Sequence, residues 1–140
     1  MNRIVAPADI APPAANYAHA IVSEHTLKWL HTSGVVPTRP DGTVPSAIET
    51  QAEVVWANLS ALLREAGMTA ADVVSVTTYV VADHLPMLAK VMAARDTALG
   101  GRKVASTLVT VPALARPEGE VGVALLAARC RAPRSARGPQ

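Results

Sequence analysis

Nine residues in the middle of the chain, Val73 to Val81, read Val-Val-Ser-Val-Thr-Thr-Tyr-Val-Val, with no glycine, proline or charge among them. β-Branched and aromatic side chains of this kind fit a pleated, half-buried surface. An unbroken run of that length predicts a strand. It lies between two stretches with helical spacing, and that placement restricts the possible folds. Ser46 to Ala66 predicts the first helix. Ser46 and Glu49 form an S-x-x-E capping box. Ile48, Ala52, Val55, Leu59, Leu62 and Ala66 recur at spacings of four and three, which makes one apolar stripe. Gly67 stands where a helix end wants a left-handed residue, and Thr69 with Asp72 is placed to cap one more short turn. The second helix is predicted over Leu85 to Leu99, capped by Asp83 or His84, with Pro86 in its first turn and Gly100-Gly101 as its stop. Connections of that length allow parallel crossovers between strands.

Four shorter apolar runs and a leading strand complete the sheet. Arg3 to Val5 reads as a strand, followed by a Pro-rich loop to Pro13. Tyr17 to Val22 and Leu27 to Thr32 read as a hairpin around Ser23-Glu24-His25-Thr26. Thr38 to Thr43 is a turn with Asp41-Gly42 at its tip. Ser106 to Val111 and Val121 to Ala128 are the last strands, separated by Pro112, Pro117 and Gly119. The order β-β-β-α-β-α-β-β implies an α+β fold, a two-layer mixed β-sheet with two helices on one face. At 140 residues the chain suits one domain, taken as 1–129, with 130–140 a flexible basic tail. With 50% hydrophobic residues but only 3% aromatics and no Phe, the core must be aliphatic.

The same composition excludes several classes. Cys130 is the single cysteine, so an intrachain disulfide and a thiolate-rich zinc site are both ruled out. No thiolate-held metal is expected. A formal charge of +2 without clustered Lys and Arg gives no basis for a nucleic-acid partner. No apolar stretch reaches about 20 residues, so no membrane partner is expected, and Met1 to Pro13 lacks the apolar core of a secretory signal. A cytoplasmic location is the expectation. In the Val73–Val81 run neither alternating set is clearly polar. Two helices cover one face of such a sheet, so the other face calls for a further cover. The expected cover is another copy of the chain.

Several segments then match one pattern in order. They are Tyr17-Ala-His-Ala-Ile-Val, Thr32-Ser33-Gly34-Val35-Val36-Pro37 with Asp41-Gly42, and Gln51 to Gly67 with Asn58-Leu59, Leu62-Leu63 and Ala66-Gly67. Asp72-Val-Val-Ser-Val-Thr-Thr-Tyr-Val and Val104-Ala105-Ser106-Thr107-Leu108-Val109 follow. Together, from about Asn16 to Ala128, they resemble the Rid family (RidA, YjgF, L-PSP). That resemblance implies a chorismate-mutase-like Rid fold and a homotrimer whose sheets line a central β-barrel. It also implies clefts between subunits that bind a small-molecule ligand. In active members these clefts hydrolyse a reactive enamine or imine, a C=N deaminase reaction that needs no cofactor. A strand Arg grips the substrate carboxylate and a Glu on the last strand moves the proton.

This chain departs from the pattern at both positions. Ala105 stands where the family has its Arg. Val121-Gly122-Val123-Ala124 stands where the family reads V-E-I-E, so Gly122 and Ala124 replace both acids. The Asn common in the second helix maps to Ala89. Tyr17, Gly34 and Thr107 remain. Tyr17, Gly34, Ala105, Thr107 and Ala124 are therefore the expected ligand-binding residues. The catalytic group is unassigned, with His19 and Lys103 as candidates. Lys103 is two residues before Ala105, about 6–7 Å along an extended strand, and on its face. Glu120 shares the face of Ala124 but lies about 13 Å from it. Each residue also has a plain structural role open to it. Tyr17 can close an interface, Thr107 suits a strand, Lys103 suits a solvated edge, and Gly34 suits backbone geometry. Trp29 and Trp56 read as core or interface anchors. The expected function is small-metabolite binding without 2-aminoacrylate deaminase activity. The alternatives are an imine or enamine hydrolase with rearranged groups, and an RNA-directed role echoing the family's older endoribonuclease label.

Overall fold

The computed structural model describes residues 1–132 and 134. The strands are β1 Asn2–Val5, β2 Ala20–Ser23, β3 Thr26–His31, β4 Val73–Val81, β5 Ala105–Val111 and β6 Val121–Cys130, and the helices are α1 Ile48–Glu65 and α2 Leu88–Ala98. The strands and helices follow one another in the expected sequence. β3, β6, β4 and β5 form one four-stranded mixed sheet, in that spatial order. The Val73–Val81 strand is central, antiparallel to β6 and parallel to β5, with α2 in the crossover. Both helices cover one face. The core joins Val55, Leu59 and Leu63 of α1 to Val76 and Val80 of β4, and to Val121, Val123 and Leu125 of β6. Trp56 belongs to this core, whereas Trp29 is half exposed on β3.

The expected hairpin does not form. Both strands exist, but β2 pairs with β1 in a separate two-stranded ribbon, while β3 pairs with β6. His25 takes a left-handed backbone at the turn between them, with φ of 56°. The turn sends the chain from one sheet to the other. Tyr17 to His19 also lie outside the strand, because β2 begins only at Ala20.

Helix α1 starts later than its sequence suggests. Its N-cap is Ala47, with no side-chain cap bond, so the Ser46–Glu49 box is absent. The chain's approach to the helix is held instead by the Gln51 amide, which donates to the Pro45 carbonyl at 2.8 Å. The buried stripe also drifts. Leu63 is buried and Leu62 is exposed. Each residue turns about 100°, so a step of four from Leu59 stays nearer the stripe than a step of three. At the far end Gly67 has φ of 68°, as a left-handed C-cap requires. The Lys28 Nζ donates to the Ala66 carbonyl there at 2.6 Å.

Thr69 and Asp72 do form a capping box, around a short 3-10 turn. Asp72 then takes both a backbone N–H and a guanidinium: Thr69 N at 2.9 Å, and Arg129 through Nε at 2.9 Å and Nη2 at 2.7 Å. The second helix differs from expectation. Residues 82–87 wind as a 3-10 segment that contains Pro86, and α2 proper begins at Leu88 without a side-chain cap. Neither Asp83 nor His84 caps it. His84 instead pairs with Glu120 at 2.9 Å. β6 runs through Cys130, and Arg131 N donates to the His25 carbonyl. Of the expected tail, residues 133 and 135–140 lie outside the described residues. No described helix is long and apolar enough to cross a membrane.

Candidate functional site

The sheet face turned away from the helices carries the expected site residues. Val104 and Leu108 of the β5 segment turn to the helix-side core, and Ser106 bonds to α2. By alternation Ala105, Thr107 and Val109 face the opposite way. The register aligns them in rows. Ala105 lies beside Ser75 and then Leu126, Thr107 beside Thr77 and then Ala124, and Val109 beside Tyr79 and then Gly122. Among these nine residues none is Arg, Lys, His, Asp or Glu. Two residues sit at the edges. Ala18 bridges to Ala105 at the free side of β5, which brings Tyr17 there. Val35 bridges to Val123 on the far side of β6, with N–H···O bonds of 2.8 and 3.0 Å, which brings Gly34 opposite Ala124.

Tyr17 and Gly34 are therefore on opposite edges. From the Ala18 segment across β5, β4 and β6 to the Val35 segment are four inter-strand steps, about 19 Å in all. Thr107 and Ala124 are two steps apart, about 10 Å. A single chain brings Ala105, Thr107 and Ala124 onto one face but does not bring Tyr17 to Gly34. The position of Gly34 is open: a Cβ built there meets nothing within 4 Å, and its φ is not left-handed. Neither backbone conformation nor crowding within the chain calls for glycine at 34, contrary to the backbone reading of that residue. At Gly122 a Cβ would meet the Val35 carbonyl at 3.5 Å and Leu114 Cδ1 at 4.0 Å. The Gly122 position is thus overlaid by Leu114.

The two catalytic candidates lie outside these rows. His19 is exposed, packs its ring edge-on to Tyr17 at 5.7 Å, and bonds through Nε2 to the Ala11 carbonyl at 2.8 Å. It ties down the Pro-rich leading loop. Lys103 precedes β5, which begins at Ala105. It lines a hollow with Arg102, Asn2, Ile4, Ile21 and Val73, under the β1–β2 ribbon. Ala89 is exposed on α2. Among the described residues, no three His, Cys, Asp or Glu gather in a group suited to a metal.

A buried network beside the site was not singled out from the sequence. Arg95 of α2 is 5% exposed. Its guanidinium donates to Ser106 Oγ at 2.9 Å, to the Asn16 carbonyl at 3.2 Å, and to Asp96 Oδ1 at 3.0 and 3.2 Å. Asn16 Nδ2 also reaches Asp96 Oδ1. Arg95 thereby links the residue before Tyr17 to the residue between Ala105 and Thr107. The signal was available. Arg95 falls four residues from both Val91 and Leu99, in the buried row of α2. Asp72 is a second carboxylate held by several donors. Its burial pushes the carboxyl up, but the bonds from Arg129 and Thr69 N, with the charges of Arg129 and Arg102, outweigh burial and hold it below the usual 3.8.

Comparison with known proteins agrees with this topology. The sequence profile of the family described as Endoribonuclease L-PSP matches residues 8–129. The chain belongs to the Rid/YjgF/L-PSP family. A RutC family protein of Haemophilus influenzae is 44% identical to this Rid-family chain over 50 residues, which are 35% of the chain and 38% of that protein. The crystal structure of the Rid protein YyfB of Yersinia pestis superposes with a TM-score of 0.82 at 30% identity, covering 91% of this chain and 98% of that one. YyfA of the same organism superposes with a TM-score of 0.67 at 26% identity, covering 92% and 100%.

Proposed function

We propose that this Rid-family chain forms a homotrimer through its open sheet face and binds a small, neutral or weakly polar metabolite in each cleft between subunits. The observation that carries the reading is the spread of the site residues. Tyr17 and Gly34 lie about 19 Å apart on opposite edges of one sheet, so only a second copy can bring the Tyr17 edge of one chain to the Gly34 edge of another. The exposed Trp29 and Val109 on that face supply apolar area for such contact. Tyr17, Gly34, Ala105, Thr107 and Ala124 would line the cleft, and no cofactor takes part.

The same face argues against 2-aminoacrylate hydrolysis. A bound carboxylate gives up hydration that an Arg fork would replace, and Ala105 offers no donor. Ala124 offers no proton acceptor. The loss of both charges is self-consistent, since keeping one would leave it unpaired. For an imine or enamine hydrolase with rearranged groups, the candidates His19 and Lys103 are engaged elsewhere or offset from the rows in the single chain, which leaves His31, paired with Leu126 at the end of the Ala105 row, as the remaining histidine nearest this face.

The test generates the enamine in situ and follows pyruvate release. No acceleration is expected from the wild type, and rates matching an active family member would overturn the reading. Sedimentation at micromolar protein should give about three times the 14.5 kDa chain mass. A monomer would remove the cleft altogether. Calorimetry adds the chemical arm. The double variant Ala105→Arg with Ala124→Glu should bind pyruvate about tenfold more tightly than wild type, and equal binding would refute the neutral-cleft assignment.

A further inference from the structure

A second pocket lies within one chain, away from the rows of Ala105, Thr107 and Ala124. It is a cleft of about 260 Å³ between the segment 36–44 and the segment 114–119. We infer that it is a preformed site for a neutral, ring-sized apolar group, and this inference does not depend on the cleft between subunits.

Both walls of the pocket are pinned to α1 from beneath. Gln51 is 1% exposed. Its Nε2 donates to the Pro45 carbonyl and to the Glu118 carbonyl, each at 2.8 Å, and its Oε1 accepts from Glu120 N at 2.8 Å. One buried amide thus crosslinks the end of the first wall to the second. One helical turn pair further on, Asn58 Nδ2 donates to the carbonyls of Thr38 at 3.0 Å and Val36 at 3.3 Å. The glutamine bonds are expensive to break because the buried Gln51 amide would be left unsatisfied. The walls are therefore held apart before any ligand arrives, which lowers the ordering cost of binding.

The lining selects the chemistry. Val36, Pro37, Val44, Leu114 and Ala115 give the interior an apolar surface. The charges at its rim, Arg116 and Glu118, are exposed and pair with each other at the mouth, outside the apolar lining. A carboxylate seated among the apolar residues would lose hydration without a buried partner. A dry apolar cavity of about 150 Å³ takes up benzene, so the larger volume here suits one aromatic ring or a fused pair. Leu114 forms the wall toward the open sheet face, where it overlies Gly122.

The experiment is a titration of isotope-labelled full-length protein with indole and, separately, with benzoate, followed by amide chemical shifts. Indole should perturb residues 36–44 and 114–119 saturably, and benzoate should bind at least about tenfold more weakly. Ala115→Phe places a ring in the pocket from within the chain and should reduce indole affinity at least about tenfold, with the remaining spectrum unchanged. Val44→Phe is the second filling variant, should Ala115→Phe disturb the loop. Four results would overturn the assignment: no saturable shifts with indole at millimolar concentration, shifts centred on 105–109 and 122–126, benzoate binding equal to indole, or full affinity in both filled variants. A monomeric protein that still binds indole at this pocket would break the trimer reading and leave this one standing.

Discussion

The two faces of the central sheet are both built on strand-forming residues and have opposite surroundings. On the helix side Val76, Val80, Val121 and Val123 are fully buried against α1 and α2. On the other side Thr107 and Val109 of β5 and Trp29 of β3 stay exposed in the single chain. Among the described residues the Thr78 hydroxyl, on the helix side, is the buried side-chain polar group left without a hydrogen-bond partner. The difference teaches that β-propensity in this sheet does not mark which face is the core. The helices decide that, and the face they leave free is where the site residues gather.

The largest expected effect lies on the covered face. Leu59→Ala removes a fully buried side chain and should cost about 2–5 kcal/mol in urea unfolding, whatever the protein concentration. A cost below 1 kcal/mol would mean that α1 is not packed as described. Arg95→Met comes next. It leaves Ser106, the Asn16 carbonyl and Asp96 without their shared donor, at about 1–3 kcal/mol. It should also shift the amide signals of Tyr17 and Thr107, which Arg95→Lys should partly restore. If only α2 signals move, the network does not tie the Tyr17 edge to β5.

A smaller effect separates the faces by pH. The folded carboxyl of Asp72 titrates below its ordinary value, so its contribution is complete above the unfolded value of about 3.9. It is lost as pH falls through the folded value. Wild-type stability should drop over that acid window, and Asp72→Asn should be less stable at neutral pH but show a shallower acid loss. Parallel acid profiles of the two proteins would refute the stabilisation of this carboxylate. The smallest effect on the isolated fold is expected from Trp29→Ser on the open face, within about 0.5 kcal/mol at high dilution. The same variant should weaken self-association, so its deficit should grow with protein concentration. A deficit independent of concentration would show that nothing covers this face.

Local chemistry made much of the fold legible. Val73–Val81 has no competing reading, and Gly67 occurs where a left-handed backbone is required. Thr69-x-x-Asp72 formed the capping box that Ser46-x-x-Glu49 did not, because the helix takes Ala47 as its N-cap and leaves Ser46 outside it. The family pattern located Ala105, Thr107 and Ala124, and the register placed them on one face. The pairing of β2 with β1 rather than β3 was not legible, since strand partners are set by contacts distant in sequence. Nor was the role of Gln51 or Asn58, whose partners are main-chain carbonyls in loops that carry no side-chain signature.

The sequence alone determined the order of strands and helices, the aliphatic core and the small uncharged residues at 105, 122 and 124, because each of these resides in residue identity and short-range spacing. Only the tertiary structure decided that Tyr17 and Gly34 stand on opposite edges, that Arg95 ties one edge to β5, and that two loops enclose an apolar pocket. Those facts depend on which distant segments become neighbours. That choice is made by burial summed over the whole sheet, a quantity no local stretch of sequence contains.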